Sequence, residues 1–192
     1  MKSNYTTRDQ WLEAAVKELN QQVFAPAGVS TLDAAWNISC SWPGGGSARK
    51  RIGECWPSAY SSKDIREMFI SPTLSDELEV LAVVAHEMIH AIDNCENGHK
   101  GPFRRMALAI GLTGKMTATV AGSDLLITLK KIFNTLGDYP HAAMNLADRK
   151  KQTTRMIKLE CVQCGFIARA SRSAIEKAGL PTCGCGGYMH DV

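Results

Sequence analysis

The pattern of hydrophobic and polar positions predicts amphipathic helices around one helix that is apolar on nearly every face. Apolar residues recur at helical spacing from Thr7 to Phe24 and from Ser123 to Leu136, so each segment is expected to bury one stripe. Leu78 to about Asp93 is apolar almost throughout, which is typical of a buried helix. Ser75 is the expected N-cap of this central helix, because acidic residues fill the turn that follows it.

Three short segments are predicted to be strands of a small antiparallel sheet. They run from Trp36 to Trp42, from Ile52 to Trp56 and from Glu67 to Ile70, and glycine- or proline-containing turns follow the first and the third. A further helix is expected from Pro102 to Ile110, and a helical continuation from Ala142 to Lys150. The predicted fold class is therefore α+β, with helices packed on a small antiparallel sheet.

The tryptophans and cysteines of the predicted strands are interpreted as packing residues. Trp36, Trp42 and Trp56 are expected to pack in the core and between strands rather than to form a platform for nucleic-acid bases. Cys40 and Cys55 are expected to be buried and to behave as small apolar side chains.

The central helix carries three chemically active residues at a spacing that suits metal binding. His86 and His90 are four residues apart, so both imidazoles lie on one helix face and can reach a single ion. Glu87 is placed to contact a water on that ion and to act as a general base. Catalytic zinc uses three protein ligands and an open position, and His99, after the turn at Asn97 and Gly98, can supply the third.

This arrangement predicts a zinc-dependent peptidase. The alternative is a helix with satisfied core histidines that binds no metal. Metal binding is favoured because histidines and a glutamate inside an apolar helix would cost several kcal/mol to bury without a partner.

Two segments resemble the SprT family, which includes the Spartan proteases. They are Val84–Ala91, which contains the HExxH motif, and Asn97–Phe103, which contains a glycine, a histidine and an aromatic residue. The resemblance is specific around residues 80–108. Gly98-His99-Lys100-Gly101 is one residue longer than the plainest form of the family pattern.

The resemblance implies a zincin-like core with His86, His90 and His99 as zinc ligands and Glu87 as the catalytic residue. It also implies protein substrates that are bound or crosslinked to DNA. Two alternatives stay open: a non-catalytic SprT-like module that binds DNA or a protein, and a peptidase with one dedicated protein substrate.

Four cysteines near the C-terminus predict a second metal site. Cys161 and Cys164 form a C-x-x-C pair, and Cys183 and Cys185 form a C-x-C pair, and four thiolates suit a tetrahedral structural zinc. Free buried thiols are the alternative, and the tight C-x-C spacing leaves open whether His190 replaces one cysteine. The chain is therefore divided into a metallopeptidase domain with a helical extension, 1–148, and a basic linker with a zinc ribbon, 149–192.

The charge of the chain is concentrated at the same end. Residues 149–192 carry eight Lys and Arg against three Asp and Glu, whereas residues 1–148 carry 14 against 16. A basic segment can contact DNA, but charge alone favours a solvated face. The resemblance to the SprT family implies DNA contact here, with a structural cap on the protease core as the alternative. The candidate DNA-binding residues are Arg149, Lys150, Lys151, Arg155, Lys158, Arg169 and Arg172.

Tyr139 and His141 are further candidates for the active site. His141 can donate to the oxyanion that peptide hydrolysis develops, with Tyr139 beside it. Capping a helix is an equal alternative for His141.

Composition excludes some classes of protein. No apolar run approaches the roughly 20 residues that span a bilayer, and residues 1–10 lack the apolar core of a secretory signal. The expected location is the cytosol, that of a bacterial host if the chain is phage-encoded. A protein substrate and DNA are the expected partners, with no membrane.

Overall fold

The computed structural model describes residues 2–33, 35–44, 51–147 and 156–192. It divides into two compact units, Met1–Leu146 and Ala147–Val192, which places the boundary two residues before the predicted one. No helix in these ranges is long and apolar enough to cross a bilayer.

The first unit begins with the predicted amphipathic helix, α1, Arg8–Leu19. Thr7 caps it in a capping box with Gln10, so two backbone N–H groups at its start are satisfied. The helix continues as one π-helical turn, Asn20–Phe24. Its apolar stripe is buried, as predicted, and Trp11 is fully buried with its Nε1 donating to the Gly137 carbonyl at 3.0 Å.

The sheet of the first unit is mixed, so the prediction of an antiparallel sheet is wrong in part. Its strands are β1, Trp36–Cys40, β2, Gly53–Trp56, and β3, Arg66–Ile70, in the order β1-β3-β2. The β2 and β3 strands are antiparallel, but β1 and β3 are parallel, with Trp36 opposite Arg66. The chain passes through the edge strand β2 before it returns to the centre of the sheet, and strand alternation carries no information about that order.

The central helix, α2, spans Glu77–Ile92 and is buried as predicted. Every residue from Val80 to Ala85 is buried. Its N-cap is Asp76 rather than Ser75, because the Asp76 side chain accepts a hydrogen bond from the Glu79 N–H at 2.8 Å. An ionised carboxylate at this position also interacts favourably with the helix dipole.

The rest of the first unit consists of short helices and a hairpin. A 3₁₀ turn covers Ser58–Tyr60. Then follow α3, Gly101–Ala109, the antiparallel strands β4, Leu112–Lys115, and β5, Ala118–Ala121, and α4, Ser123–Leu136.

The prediction of α4 is confirmed to the residue, but the predicted helical continuation is wrong for residues 142–147. That segment is not helical, and the Met144 N–H donates to the Pro72 carbonyl at 2.8 Å. The backbone therefore bonds to a distant loop instead of to its own next turn. Residues 148–150 of this prediction lie outside the described residues.

The second unit is a small three-stranded antiparallel sheet with one helix. Its elements are β6, Ile157–Cys161, β7, Ile167–Ala170, α5, Arg172–Ala178, and β8, Met189–Asp191. The strand order is β7-β6-β8, and the buried apolar cluster of the described residues consists of Leu159, Cys161 and Met189. The chain is therefore α+β with small sheets and a cysteine cluster, compatible with a zinc ribbon.

The tryptophans of the first sheet do not all pack in the core. Trp42 and Trp56 are 40% and 39% exposed, so their predicted packing in the core is wrong, whereas Trp36 is partly buried against the core. Cys40 is buried as predicted, and Cys55 is only partly buried. Side chains of one strand alternate between the two faces of a sheet, and α2 covers only one face here.

Candidate metal centre and active-site cavity

Three histidines of the first unit converge on one point. His86 and His90 project from α2, and His99 lies in the turn before α3. Asn94, Cys95 and Gly98 in that turn have positive φ of 52°, 60° and 52°, so the chain reverses sharply. His99 Nε2 is thereby brought to 3.2 Å from Nε2 of His86 and to 3.2 Å from Nε2 of His90.

This separation fits a single small cation. Zinc–nitrogen bonds of about 2.0–2.1 Å in a tetrahedral site hold the ligand nitrogens about 3.3 Å apart. The three histidines therefore form a group that could hold a metal ion, compatible with zinc. Imidazole ligands alone also suit other first-row divalent metals.

A threonine orients the first of these ligands. Thr119, in β5, has its hydroxyl oxygen 2.8 Å from His86 Nδ1. When Nδ1–H donates to this oxygen, the lone pair is on Nε2, the nitrogen that faces His99. The ring of Phe103 stacks on His90 with centroids 4.4 Å apart and contacts the other two imidazoles edge-on.

Burial keeps these imidazoles in the form that binds metal. Removal from water, with a smaller effect of the neighbouring histidines, lowers the pKa of His86 to about 4 and that of His90 to about 3. Burial also lowers the pKa of His99. Near pH 7 all three are neutral, and a neutral imidazole offers the lone pair that a metal requires.

Glu87 is held against the edge strand of the sheet. Its side chain is almost fully buried because β2 approaches α2 closely at Gly53. A Cβ at position 53 would lie 2.7 Å from Val83 Cγ1 and closer still to Glu87 Oε1. The absence of a side chain at Gly53 therefore makes the space that Glu87 occupies.

Burial raises the pKa of Glu87 to about 8. A cation on the three histidines would oppose that shift, because an adjacent positive charge favours the ionised carboxylate.

The histidines and Glu87 line one cavity of about 580 Å³. One wall is β2, from Gly53 to Cys55, and the opposite wall is the β4–β5 hairpin, from Thr117 to Thr119. Cys95 and Gly98 of the turn, Val83 of α2, and Arg51 and Ile52 just before β2 also line the cavity. A cleft of this size is in the range of ordinary ligand sites.

Tyr139 and His141 do not line this cavity, so the structure does not bring the expected oxyanion residues to the histidines. The Tyr139 ring packs on Trp11 with centroids 4.9 Å apart. His141 Nε2 lies 2.9 Å from the Pro72 carbonyl, and its Nδ1 lies 3.3 Å from Arg8. The bond between Trp11 and the Gly137 carbonyl ties this segment to α1, away from α2's histidines.

The four cysteines of the second unit form a second group that could hold a metal ion. Sγ of Cys164 lies 3.5 Å from that of Cys183 and 3.4 Å from that of Cys185, and Cys161 and Cys185 are 3.6 Å apart. Tetrahedral zinc with bonds of about 2.3 Å separates its sulfurs by about 3.8 Å.

Backbone geometry supports these thiolates. Hydrogen bonds from the backbone N–H groups of Cys164 and Gln163 lower the pKa of Cys161 to about 6. A Cβ at Gly187 would lie 2.7 Å from Cys161 Sγ, so this position requires glycine. His190 lies in β8 opposite Glu160 and is not a member of the group, which favours four cysteines as ligands.

The structure brings together two of the predicted DNA-binding residues. Lys158 lies directly opposite Arg169 on neighbouring strands, and Arg172, at the start of α5, is exposed. The other four, Arg149, Lys150, Lys151 and Arg155, lie outside the described residues.

Two residues of the site were missed by sequence reasoning. Thr119 belongs to a hairpin that was not predicted, and the adjacent β-branched residues Thr119 and Val120 are the strand signal in this segment. Gly53 has no such signal, because its role depends on a contact with α2 that is distant in sequence.

Replacing Thr119 with valine is expected to weaken metal binding at the histidines about tenfold to a hundredfold, the usual effect of losing a partner of a ligating histidine. Valine keeps the shape but cannot bond to Nδ1. Competition with a chromophoric chelator would measure the affinity. Thr113→Val is the control, because Thr113 donates to the Val120 carbonyl in the same hairpin and touches no histidine. Equal affinities of both variants would contradict the role of Thr119.

Comparison with protein-family models, with curated proteins and with solved structures finds no match to this chain.

Proposed function

We propose that the first unit is a zinc-dependent endopeptidase and that its substrates are proteins bound or crosslinked to DNA. The observation that carries the proposal is the convergence of three Nε2 atoms beside a buried, unliganded carboxylate in one open cavity. A metal site that only stabilises the fold has no use for such a carboxylate, because burying Glu87 carries a desolvation cost. This argues against a non-catalytic binding module.

The residues of the cavity have distinct tasks. His86, His90 and His99 would hold zinc, which when bound acts as a Lewis acid toward water and the substrate carbonyl. Glu87 accepts a proton from the attacking water and passes it to the leaving amine. Thr119 holds His86 in the tautomer that leaves Nε2 free.

The edge strand offers a place for an extended peptide. Among the described residues β2 pairs only with β3, so its other edge is open to a further strand except at Cys55, whose carbonyl accepts a hydrogen bond from the Cys95 thiol at 3.5 Å. Gly53 to Cys55 lie along the cavity. A substrate could therefore add as a strand along β2 with its backbone beside the histidines.

The DNA component of the proposal is supported by the second unit. Lys158 and Arg169 are directly opposite each other, and like charges in that position destabilise a sheet. Glu160 relieves part of this, since it lies 3.2 Å from Lys158 Nζ. The remaining positive charge is suited to contact with a phosphate backbone. A second unit that served only as a structural cap would expose the same charge to solvent.

The first test is protein cleavage by the zinc-loaded chain. Histones and casein would be incubated with it, with and without single-stranded DNA, and new N-termini would be identified by mass spectrometry. We expect internal cleavage that a chelator abolishes and that DNA increases. Cleavage without any effect of DNA would favour a peptidase with one dedicated substrate. No cleavage by protein with measured zinc at the histidines would contradict the peptidase.

A further inference from the structure

A groove with aromatic walls lies at the end of the edge strand. Trp42, Trp56, Tyr60 and Phe69 line this aromatic groove, which has a volume of about 340 Å³. The rings of Trp56 and Tyr60 are nearly perpendicular, with centroids 5.4 Å apart. Tyr60 is 75% exposed, and both tryptophans are about 40% exposed. A contiguous, solvent-exposed patch of large aromatic side chains such as this one usually marks a binding surface.

The groove is on the face of the sheet that α2 does not cover. Gly53 contacts α2, and Met68 and Ile70 of β3 are fully buried on the same side. Because side chains alternate along a strand, Trp56 and Phe69 face the opposite way. The groove is therefore separate from the histidine cavity, although both are built on β2.

Among the described residues, the lining of the groove carries a negative charge and no positive one. Glu67 is the one charged residue in its described lining. Asn37 Nδ2 donates to one oxygen of Glu67 at 3.0 Å, and no described residue bonds the other oxygen. Aromatic faces attract cations, with the strongest effect where water is partly excluded. An apolar ligand would gain contact with the rings but would remove Glu67 from water without compensation.

We propose that the aromatic groove binds the cationic side chain of a lysine or arginine in a polypeptide. The inference rests on the proposed function in one respect, that the polypeptide is the substrate. Trp56 directly follows Cys55, which lines the histidine cavity. Gly53, which lies against Glu87, precedes Trp56 by three positions along β2. A peptide paired with β2 rises by about 3.3 Å per residue as β2 does, so it reaches the groove about three residues from the bond at the histidines. The groove would then be a specificity pocket for a basic residue.

Binding can be measured without catalysis. Peptides of ten residues, alanine and serine except for one central lysine, norleucine or glutamate, would be titrated while tryptophan fluorescence is followed. We expect the lysine peptide to bind about threefold to tenfold more tightly than the norleucine peptide, the range of a partly exposed cation–π contact with a carboxylate. Glu67→Gln and Tyr60→Ala should each remove most of that difference.

Matched controls exist for both variants. Glu79 is exposed on α2, and Tyr188 is 81% exposed in the second unit, so Glu79→Gln and Tyr188→Ala should leave binding unchanged. Equal binding of the lysine and norleucine peptides, or no binding of the lysine peptide at millimolar concentration, would overturn the proposal.

The cleavage assay separates this inference from the proposed function. Cleavage without enrichment of lysine or arginine near the new N-termini would leave the peptidase standing and remove the specificity pocket. Lysine-dependent binding by a chain that cleaves nothing would keep the cation site and remove its role in hydrolysis.

Discussion

Replacing Glu87 with glutamine is expected to reduce peptide hydrolysis by about 10²–10⁴-fold, the usual contribution of a general base, without loss of zinc. Glutamine has nearly the same shape as glutamate, so it fits the space left by Gly53. It cannot accept the proton of the attacking water. The three histidine ligands are unchanged, so metal content measured by mass spectrometry should equal that of the parent protein.

The control for this variant is Glu79→Gln, which changes the same chemical group on the exposed face of α2. It should retain full activity. If Glu87→Gln hydrolysed protein at the parent rate, either the base would be another residue or the observed cleavage would come from a contaminating protease. A variant that lost both zinc and activity would instead show that Glu87 supports the metal site structurally.

Removing metal from the four cysteines is expected to unfold the second unit while the first stays folded. Among its described residues the second unit buries Leu159, Cys161 and Met189, too small a core to offset the chain entropy lost on folding. Structural zinc supplies apparent binding free energies of about 10–16 kcal/mol in small zinc domains. The first unit has a large buried cluster contributed by its helices and its sheet, which does not depend on a metal.

Hydrogen exchange followed by mass spectrometry would test this expectation. Chelation should remove protection from β6, β7 and β8 and leave α1 and α4 protected. Cys183→Ser should have the same effect without a chelator, whereas His190→Ala should be harmless, because His190 is not a member of the cysteine group. Protection of β6 that persists without metal would contradict a zinc-dependent fold, and metal loss in His190→Ala would identify that histidine as a ligand.

The helices and the ligand spacing could be predicted from sequence because they depend on local geometry. The apolar stripe of α4 determined both of its ends, and the four-residue spacing of His86 and His90 places both imidazoles on one helix face wherever that helix lies. The return of His99 was also predictable, since Asn97 and Gly98 mark a turn in a short connection.

Features that depend on distant contacts were not predictable in this way. The parallel pairing of β1 with β3 depends on which strand occupies the centre of the sheet, and alternation along a strand is the same for either direction. His141 has the chemistry of a catalytic residue, but its ring bonds to the Pro72 carbonyl and to Arg8 and does not line the histidine cavity. The exposure of Trp42 depends on the absence of a covering helix, which no local pattern reports.

The close approach at Gly53 has a consequence for the tolerance of this chain to mutation. The glycine's φ lies outside the left-handed region, so its backbone conformation is open to other residues. The atoms nearest to the Cβ of an alanine here belong to the carboxyl group of Glu87 and to a methyl group of Val83. In a deep mutational scan, substitutions at position 53 should therefore be as poorly tolerated as those in the active site. Gly53→Ala should fold again when it is combined with a smaller residue at position 83 and with loss of the Glu87 carboxylate, but the combined variant should remain inactive. Selection for protein abundance would then retain this triple variant, whereas selection for cleavage would eliminate it.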